Sequence, residues 1–328
     1  MICKICGNSE GNQTHIAHEM MFSLGDSFTY LECSRCGCVQ LQDLPADMSK
    51  YYPPTYYSFS ITPVAIFNHP VKNIVKRFRD TYAVTNRSSL GKVLYVLFPD
   101  LLIRSLAHTG VTKRSRILEV GCGSGWLLYS LVNAGFRTVL GIDPYIDATI
   151  TYKNGLTIRK QSIHEVDGEW DFIMLHHSFE HVPDSLETLQ SLYRLLPATG
   201  VGLIRIPIAS SYAWKHYTTN WVQLDAPRHF FLHTVESMRL LATEAGLSLE
   251  HVVYDSTDFQ FWGSEQYVSG IPLEAGESYK RDPSKSPFTH APIEAFRTRA
   301  QELNDQQQGD QAAFYLRKSP RPQSSRGY

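Results

Sequence analysis

Residues 116–125 read RILEVGCGSG, with Gly121, Gly123 and Gly125 at alternate positions directly behind a β-branched and aliphatic run. That run reads as a strand and the following WLLYSLVNAG as a helix, so the glycines sit at a strand-to-helix turn. Such a turn exposes unpaired N–H groups at a helix start, which attract a carboxylate or phosphate on a ligand. Asp143 closes the next aliphatic run, twenty residues after Gly123. In a nucleotide-binding βαβ unit an acid at that place accepts hydrogen bonds from ribose hydroxyls, so the pairing fits an adenosine ligand. The spacing is ExGxGxG, with Glu119 two positions ahead of Gly121, and the third glycine comes one residue early for the GxGxxG dinucleotide fingerprint.

A second group is the cysteines. Cys3 and Cys6 form one CxxC pair and Cys33 and Cys36 another, each followed by glycine, in CKICG and CSRCG. In zinc knuckles the second thiolate accepts N–H bonds from a tight turn, and a glycine there takes the positive φ the turn requires. Two knuckles make one tetrahedral site, so Zn2+ is the expected ion. Four thiolates close its coordination sphere and make its role structural. Residues 7–32 leave room for a hairpin, and FTYLEC supplies a strand leading into the second knuckle. Cys38, His15 and His18 fall outside the expected ligand set.

The chain that must position these groups has 328 residues, 43% of them hydrophobic, enough for about two domains with a sizeable core. Net charge is −1, so no overall basic field announces a polyanionic partner. The N-terminus lacks the features of a secretory signal and no apolar run is long enough for a bilayer, so a cytoplasmic location is expected. MSKYYPPTYYSFS reads as a packed connector. Residues 70–108 hold two helix-like stretches, the second broken by Pro99, and its apolar residues are expected to be buried rather than to meet a membrane. From Arg116 short apolar strands alternate with helices, one of them within PYIDATITYKNG, which implies a parallel sheet covered on both faces. Asp184 and Glu187 read as a capping box. LSLEHVVYDS and GDQAAFYLRKS read as an antiparallel pair of strands at the sheet edge, and SPRPQSSRGY as a disordered tail.

EVGCGSG, GID, DFIMLHHSFEHVPD and RLLPATG, in that order, resemble the class I S-adenosylmethionine-dependent methyltransferases over roughly residues 113–257 and the final strand. The resemblance implies an α/β, Rossmann-like, seven-stranded and mostly parallel sheet with an antiparallel last strand. A small N-terminal zinc ribbon and a helical lid would precede it. The corresponding boundaries are 1–50 for the ribbon, 51–112 for connector and lid, 113–318 for the methyltransferase domain with an insertion at 258–309, and 319–328 for the tail. Gly121, Cys122, Gly123 and Gly125 would hold the methionine end of S-adenosyl-L-methionine, with Glu119 helping through its amino group. Asp143 would take the ribose hydroxyls and Pro144 would turn the chain beside the adenine. Ile163 and His164 would flank the adenine, and His176 would approach the sulfonium side. FEHVPD resembles the branch that includes ubiquinone-pathway O-methyltransferases. The ribbon, YYPPTYY and LDAPRHFFLHT look like bacterial methyltransferases encoded among glycan-assembly enzymes.

Methyl transfer from a sulfonium is an in-line displacement, and a base is needed when the nucleophile carries a proton. His181, just past the fourth strand, and His229, in the aromatic loop after the fifth, are the candidate bases. Asp225, Arg228 and His233 share that loop and are candidates for binding a polar or phosphorylated acceptor, whereas His177 and Glu180 read as packing or supporting residues. The preferred acceptor is a sugar hydroxyl in a nucleotide-linked or polysaccharide precursor, small or carrier-linked. Two other readings remain open. One is an RNA methyltransferase using the ribbon, with KNIVKRFR as its single basic cluster; the other is an inactive S-adenosylmethionine-binding scaffold.

Overall fold

The computed structural model describes residues 1–53, 63–67 and 69–319. Most of the YYPPTYY connector, and the tail from 320 onward, lie outside them.

Five parallel strands form the centre of the main sheet: β4 (Arg116–Val120), β5 (Thr138–Ile142), β7 (Thr157–Arg159), β8 (Phe172–His176) and β9 (Val201–Pro207). β12 (Gln311–Lys318) runs antiparallel between β9 and β11 (Leu247–Tyr254). This is the edge pair the sequence implies. With β6 (Ile150–Thr151) the order is β11-β12-β9-β8-β4-β5-β7-β6, so the sheet has eight strands rather than seven. The extra strand replaces a helix. PYIDATITYKNG carries β-branched Thr149, Ile150 and Thr151 and then a turn ending at Gly155, with φ +90°, and it folds as a hairpin antiparallel to β7.

Every residue of β9 is buried, as a strand covered on both faces must be. On one face Leu118, Ile173 and Ile204 pack with α4 (Ser185–Leu195) and α6 (Val235–Glu244). On the other, Ile117, Phe172 and Leu203 pack with α3 (Trp126–Asn133) and the end of α1 (Pro70–Thr85). The Asp184 side chain makes no capping bond, so the expected capping box is absent. α1 and α2 (Ser89–Leu97) form a close hairpin in which a Cβ on Gly91 would lie 2.4 Å from the Phe78 carbonyl oxygen. The outer apolar residues of α2 are exposed, contrary to the expectation that they pack in a core.

The N-terminal sheet comprises β1 (Gln13–His18), β2 (Ser27–Glu32), β3 (Val39–Leu41) and β10 (Phe231–Leu232), the last donated by the loop after β9. The insertion is mainly helical, with α7 (Phe259–Val268) and α8 (His290–Asp305). Tyr30 and Leu41 from the ribbon, Trp214 and Trp221 from the loop, and Phe261 and Leu303 from the insertion share one core. The boundaries drawn at 50 and 258 therefore pass through a continuous apolar cluster.

A buried ion triad crosses the same junction. Arg228 is almost wholly buried, and its Nη2 donates to Glu19 Oε1 at 2.9 Å and to Asp225 Oδ1 at 2.6 Å. Glu19 also accepts from the N–H groups of Met21, Phe22 and Leu24. Removing the guanidinium strands two carboxylates out of water. Arg228→Leu should therefore lose about 3–5 kcal/mol in urea unfolding followed by tryptophan fluorescence. A loss below about 1 kcal/mol would show that the triad does not hold the ribbon to the loop.

Candidate functional site

The glycine turn is wedged between two strand ends. Gly121 has φ +69° and its N–H donates to Ile142 O at 2.8 Å. A Cβ there would lie 2.5 Å from Ser178 Cβ, just past β8, whose hydroxyl donates to Val120 O at 2.9 Å. Gly125 begins α3 at φ +74°, and a Cβ there would lie 2.4 Å from Ile158 Cδ1 on β7. Both positions hold a left-handed backbone that favours glycine, and at Gly121 the Ser178 Cβ, close to its own backbone, also leaves no room for a methyl group. Cys122 between them is half-buried.

Asp143 clamps this turn. One carboxylate oxygen accepts from Gly123 N–H and the other from Tyr145 N–H, each at 2.8 Å. Two N–H bonds leave about two of the four lone-pair sites of a carboxylate for a ligand. Burial raises its pKa, the two N–H bonds oppose the rise, and so does His181, which places that ring within electrostatic reach.

Glu119 is buried beneath the same turn, and its Oε2 has no hydrogen-bond partner among the described residues. Burial and the Asp143 charge push its pKa up to about 8. Its Oε1 lies 3.5 Å from His176 Nδ1. Ser105 Oγ already donates to Leu102 O at 2.6 Å, so its 3.2 Å contact with His176 Nε2 requires the ring N–H there. The bare Nδ1 of His176 therefore faces Glu119, which carries a proton at neutral pH. Burial first, and then Arg205 and His177, hold His176 neutral. Its ring is enclosed, so it stands behind Glu119 and not at the open edge expected for it. Ile163 is buried in the core, His164 contacts Ser191 Oγ at 2.8 Å, and Pro144 is exposed.

Beyond β8 the 3-10 turn Phe179–His181 packs next to Ser178. His181 is half-buried and its Nδ1 lies 2.7 Å from Arg228 O, an acceptor, so the N–H is there and Nε2 keeps a free lone pair. His229 is set in the same way by Gln223 O at 2.8 Å, and its ring meets that of His181 edge-on at 4.7 Å. Burial and then His181 lower the His229 pKa to about 4, so this ring is neutral near pH 7. Its Nε2 lies 3.9 Å from Glu180 and 3.8 Å from Asp225.

Glu180 is the residue that sequence reasoning undervalued. It is fully buried and neither oxygen has a hydrogen-bond partner among the described residues; the nearest ring nitrogen, His177 Nδ1, is 3.4 Å away. Burial pushes its pKa up, but His177, His181 and His229 together bring it to about 2, so it remains a carboxylate. Its adjacency to His181 in FEHVPD was visible, but its lack of a partner was not. The ligand atoms of Glu180, His181 and His229 lie within 4.8 Å of one another, close enough either to share a proton's charge or to hold a small cation.

Three expected acceptor-binding residues are engaged elsewhere. The Arg228 charge is matched by Glu19 and Asp225. His233 is fully buried, stacked against Phe179 and Phe231, with Nδ1 near Ser237 Oγ at 3.2 Å. Arg228 and Asp225 are thus committed to each other, and His233, whose Nε2 lacks a partner among the described residues, is enclosed.

The four knuckle cysteines converge. Cys3 and Cys36 sulfurs are 3.7 Å apart, Cys6 and Cys33 sulfurs 3.5 Å apart, and all four lie within 4.8 Å of one another. A tetrahedron of Zn–S bonds about 2.3 Å long has edges of about 3.8 Å, so the set fits a tetrahedral cation. Gly7 and Gly37 both take φ +70°. Backbone N–H groups approach both cysteines of each pair: Ile5 donates to Cys3 and Cys36 to Cys33, and the N–H groups of Asn8 and Cys38 face the second sulfurs, Cys6 and Cys36. Thr234, which caps α6, donates to Cys36 O at 2.5 Å and ties the cluster to the main domain.

Residues 95–252 match the family model described as a methyltransferase domain. A curated relative, the peramine synthetase ppzA of Metarhizium majus (strain ARSEF 297), is 40% identical over 55 residues. That stretch is 16% of this chain and 2% of that protein, so the chain spans only a small part of the relative's length. Among solved structures, mycolic acid cyclopropane synthase CmaA1 with SAH and CTAB is similar at 17% identity and TM-score 0.44, over 74% of this chain and 93% of that one. An S-adenosylmethionine-dependent methyltransferase from Mesorhizobium loti shows 17% identity and TM-score 0.39, over 62% and 91%. The cyclopropane synthase MmaA2 from Mycobacterium tuberculosis shows 12% identity and TM-score 0.41, over 76% and 99%. Over residues 95–252, just under half of its length, the chain is similar to a methyltransferase domain.

Proposed function

We propose that this enzyme methylates a hydroxyl of a sugar in a nucleotide-linked or carrier-linked precursor, with His181 as the base. The observation that carries the base assignment is the fixed His181 tautomer. Arg228 O holds the Nδ1 proton, leaving a bare Nε2 on a half-buried ring beside the clamped glycine turn.

The turn fits the cofactor's charged end. Glu119 Oε2, buried and without a partner, suits an ammonium group, and Asp143 has lone pairs free for the ribose hydroxyls. Gly121, Cys122, Gly123 and Gly125 would flank the methionine end, with Pro144, Ile163 and His164 beside the adenine. Bound there, S-adenosyl-L-methionine supplies a methyl group on a positively charged sulfur, already activated for displacement. His181 orients the acceptor hydroxyl and takes its proton at Nε2. The Glu180 carboxylate, ionised at neutral pH, balances the resulting imidazolium, and His229 holds the His181 ring edge-on. We assign the thiol cluster to one structural Zn2+, held by Cys3, Cys6, Cys33 and Cys36.

His181→Ala should leave cofactor affinity near wild type and slow turnover on a hydroxyl acceptor by about 100-fold or more. Glu180→Gln should show a smaller loss and an altered pH profile. Normal turnover by His181→Ala in single-turnover assays would remove it as the base.

Proton linkage tests the cofactor pocket separately. Glu119, raised to about 8 from an ordinary value of 4.5, holds in the folded state a proton that the unfolded chain has lost between those values. Stability without ligand should therefore fall as pH rises through that window. An ammonium beside Glu119 favours the carboxylate, so cofactor binding near pH 7 should release about one proton. Calorimetry in buffers of different ionisation enthalpy should show this release, and Glu119→Gln should abolish it. Binding without proton release would place the ammonium elsewhere.

Metal analysis of purified protein should give about one zinc per chain, with chelation lowering the melting temperature. Protein folded at full stability without zinc would contradict the assignment.

A further inference from the structure

The α1–α2 hairpin has an outer face that nothing in the reaction uses. Val71, Ile74 and Phe78 on α1, and Leu90, Val93 and Leu97 on α2, follow the same i, i+3, i+7 spacing and so form one apolar stripe on each helix. They are between 42% and 63% exposed. The buried residues of α1, Asp80, Ala83 and Val84, fall on its opposite side, so the helix packs by one face and leaves the other to solvent. Apolar stripes of this size on a soluble protein mark an interaction surface.

The charge around them identifies the partner. Residues 69–99 contain six lysines and arginines against a single acid, Asp80, in a chain whose net charge is −1. Asp80 is buried and paired with Arg79, whereas Lys72, Arg77, Arg87 and Lys92 are exposed. A second copy of this chain would bring the same cations against themselves, which disfavours pairing through this face. Nucleic acid would leave the aliphatic stripes without a partner. Apolar ridges with interspersed lysine and arginine match a phospholipid surface that offers both acyl chains and anionic headgroups.

We propose that the α1–α2 hairpin docks on an anionic phospholipid bilayer. From α2 the chain passes through Pro99 and the short helix Leu101–Arg104 to Ser105, which hydrogen-bonds His176 behind Glu119, so the docked hairpin is joined in sequence to a residue that backs the glycine turn. The docking does not depend on which acceptor is methylated; it suits a carrier-linked one.

Full-length protein should co-sediment with phosphatidylcholine vesicles containing phosphatidylglycerol, bind pure phosphatidylcholine far less, and be released by high salt. The triple variant Leu90→Ser, Val93→Ser, Leu97→Ser should weaken binding about tenfold or more, and so should Lys72→Glu, Arg77→Glu, Arg87→Glu. Unchanged circular dichroism and cofactor affinity establish that each variant is folded. Because the two variants alter different chemistry, failure of one to fold leaves the other to decide. Absence of binding to the anionic vesicles, or equal binding by the folded variants, overturns the proposal. A wild-type dimer in sedimentation velocity that the apolar variant dissociates also overturns it, assigning the face to a second copy.

Discussion

The close approach of Gly121 to Ser178 is the contact on which the site depends. Because no side chain stands between them, the segment after β8 can lie directly on the glycine turn, and Ser178 can donate to the last carbonyl of β4. The turn Phe179–His181 follows at once, bringing Glu180 and His181 to the edge that Asp143 clamps. A methyl group at position 121 would push the segment after β8 off the glycine turn. Two unsatisfied buried carboxylates, Glu119 and Glu180, lie on either side of this contact and have opposite fates. Glu119 faces a neutral histidine and another acid and is raised to about 8, whereas Glu180 is surrounded by imidazoles and is lowered to about 2. The same burial thus leaves one carboxyl protonated and the other ionised at neutral pH, because their neighbours differ in charge.

The ribbon is joined to this edge by backbone pairing and by a buried ion pair. Its β3 pairs with β10, and Glu19 reaches Arg228. The backbone carbonyl of that same Arg228 fixes the His181 tautomer. A cation in the thiol cluster would therefore steady the loop after β9 through the sheet and through the Thr234 bond at the start of α6. The ribbon is a brace for the loop after β9, and the insertion completes its apolar core.

Much of this was legible in the residues. Alternating apolar runs gave the parallel order and the antiparallel edge, and the doubled CxxCG gave the thiol cluster. The glycine spacing located the turn, because tight backbone geometry is encoded locally. The losses share a physical cause, which is that burial and pairing are set by distant parts of the chain. Arg228 reads as an anion binder, but its partner Glu19 lies 209 residues away. β10 is two residues long and has no periodicity to detect. An apolar stripe on α2 is visible as a stripe, but sequence does not say what it faces. Only the first arm of the hairpin, β6, departs from the reading: it lies in PYIDATITYKNG, whose helical look is outweighed by the β-branched Thr149, Ile150 and Thr151.

The most direct measurement is a crystal structure of the enzyme with S-adenosylhomocysteine. The amino group is expected within hydrogen-bond distance of Glu119 and the ribose hydroxyls at Asp143, with the sulfur on the side of the turn that faces His181. A ligand bound away from the Gly121–Ser178 contact, or a Glu119 carboxyl still facing only His176, would contradict it.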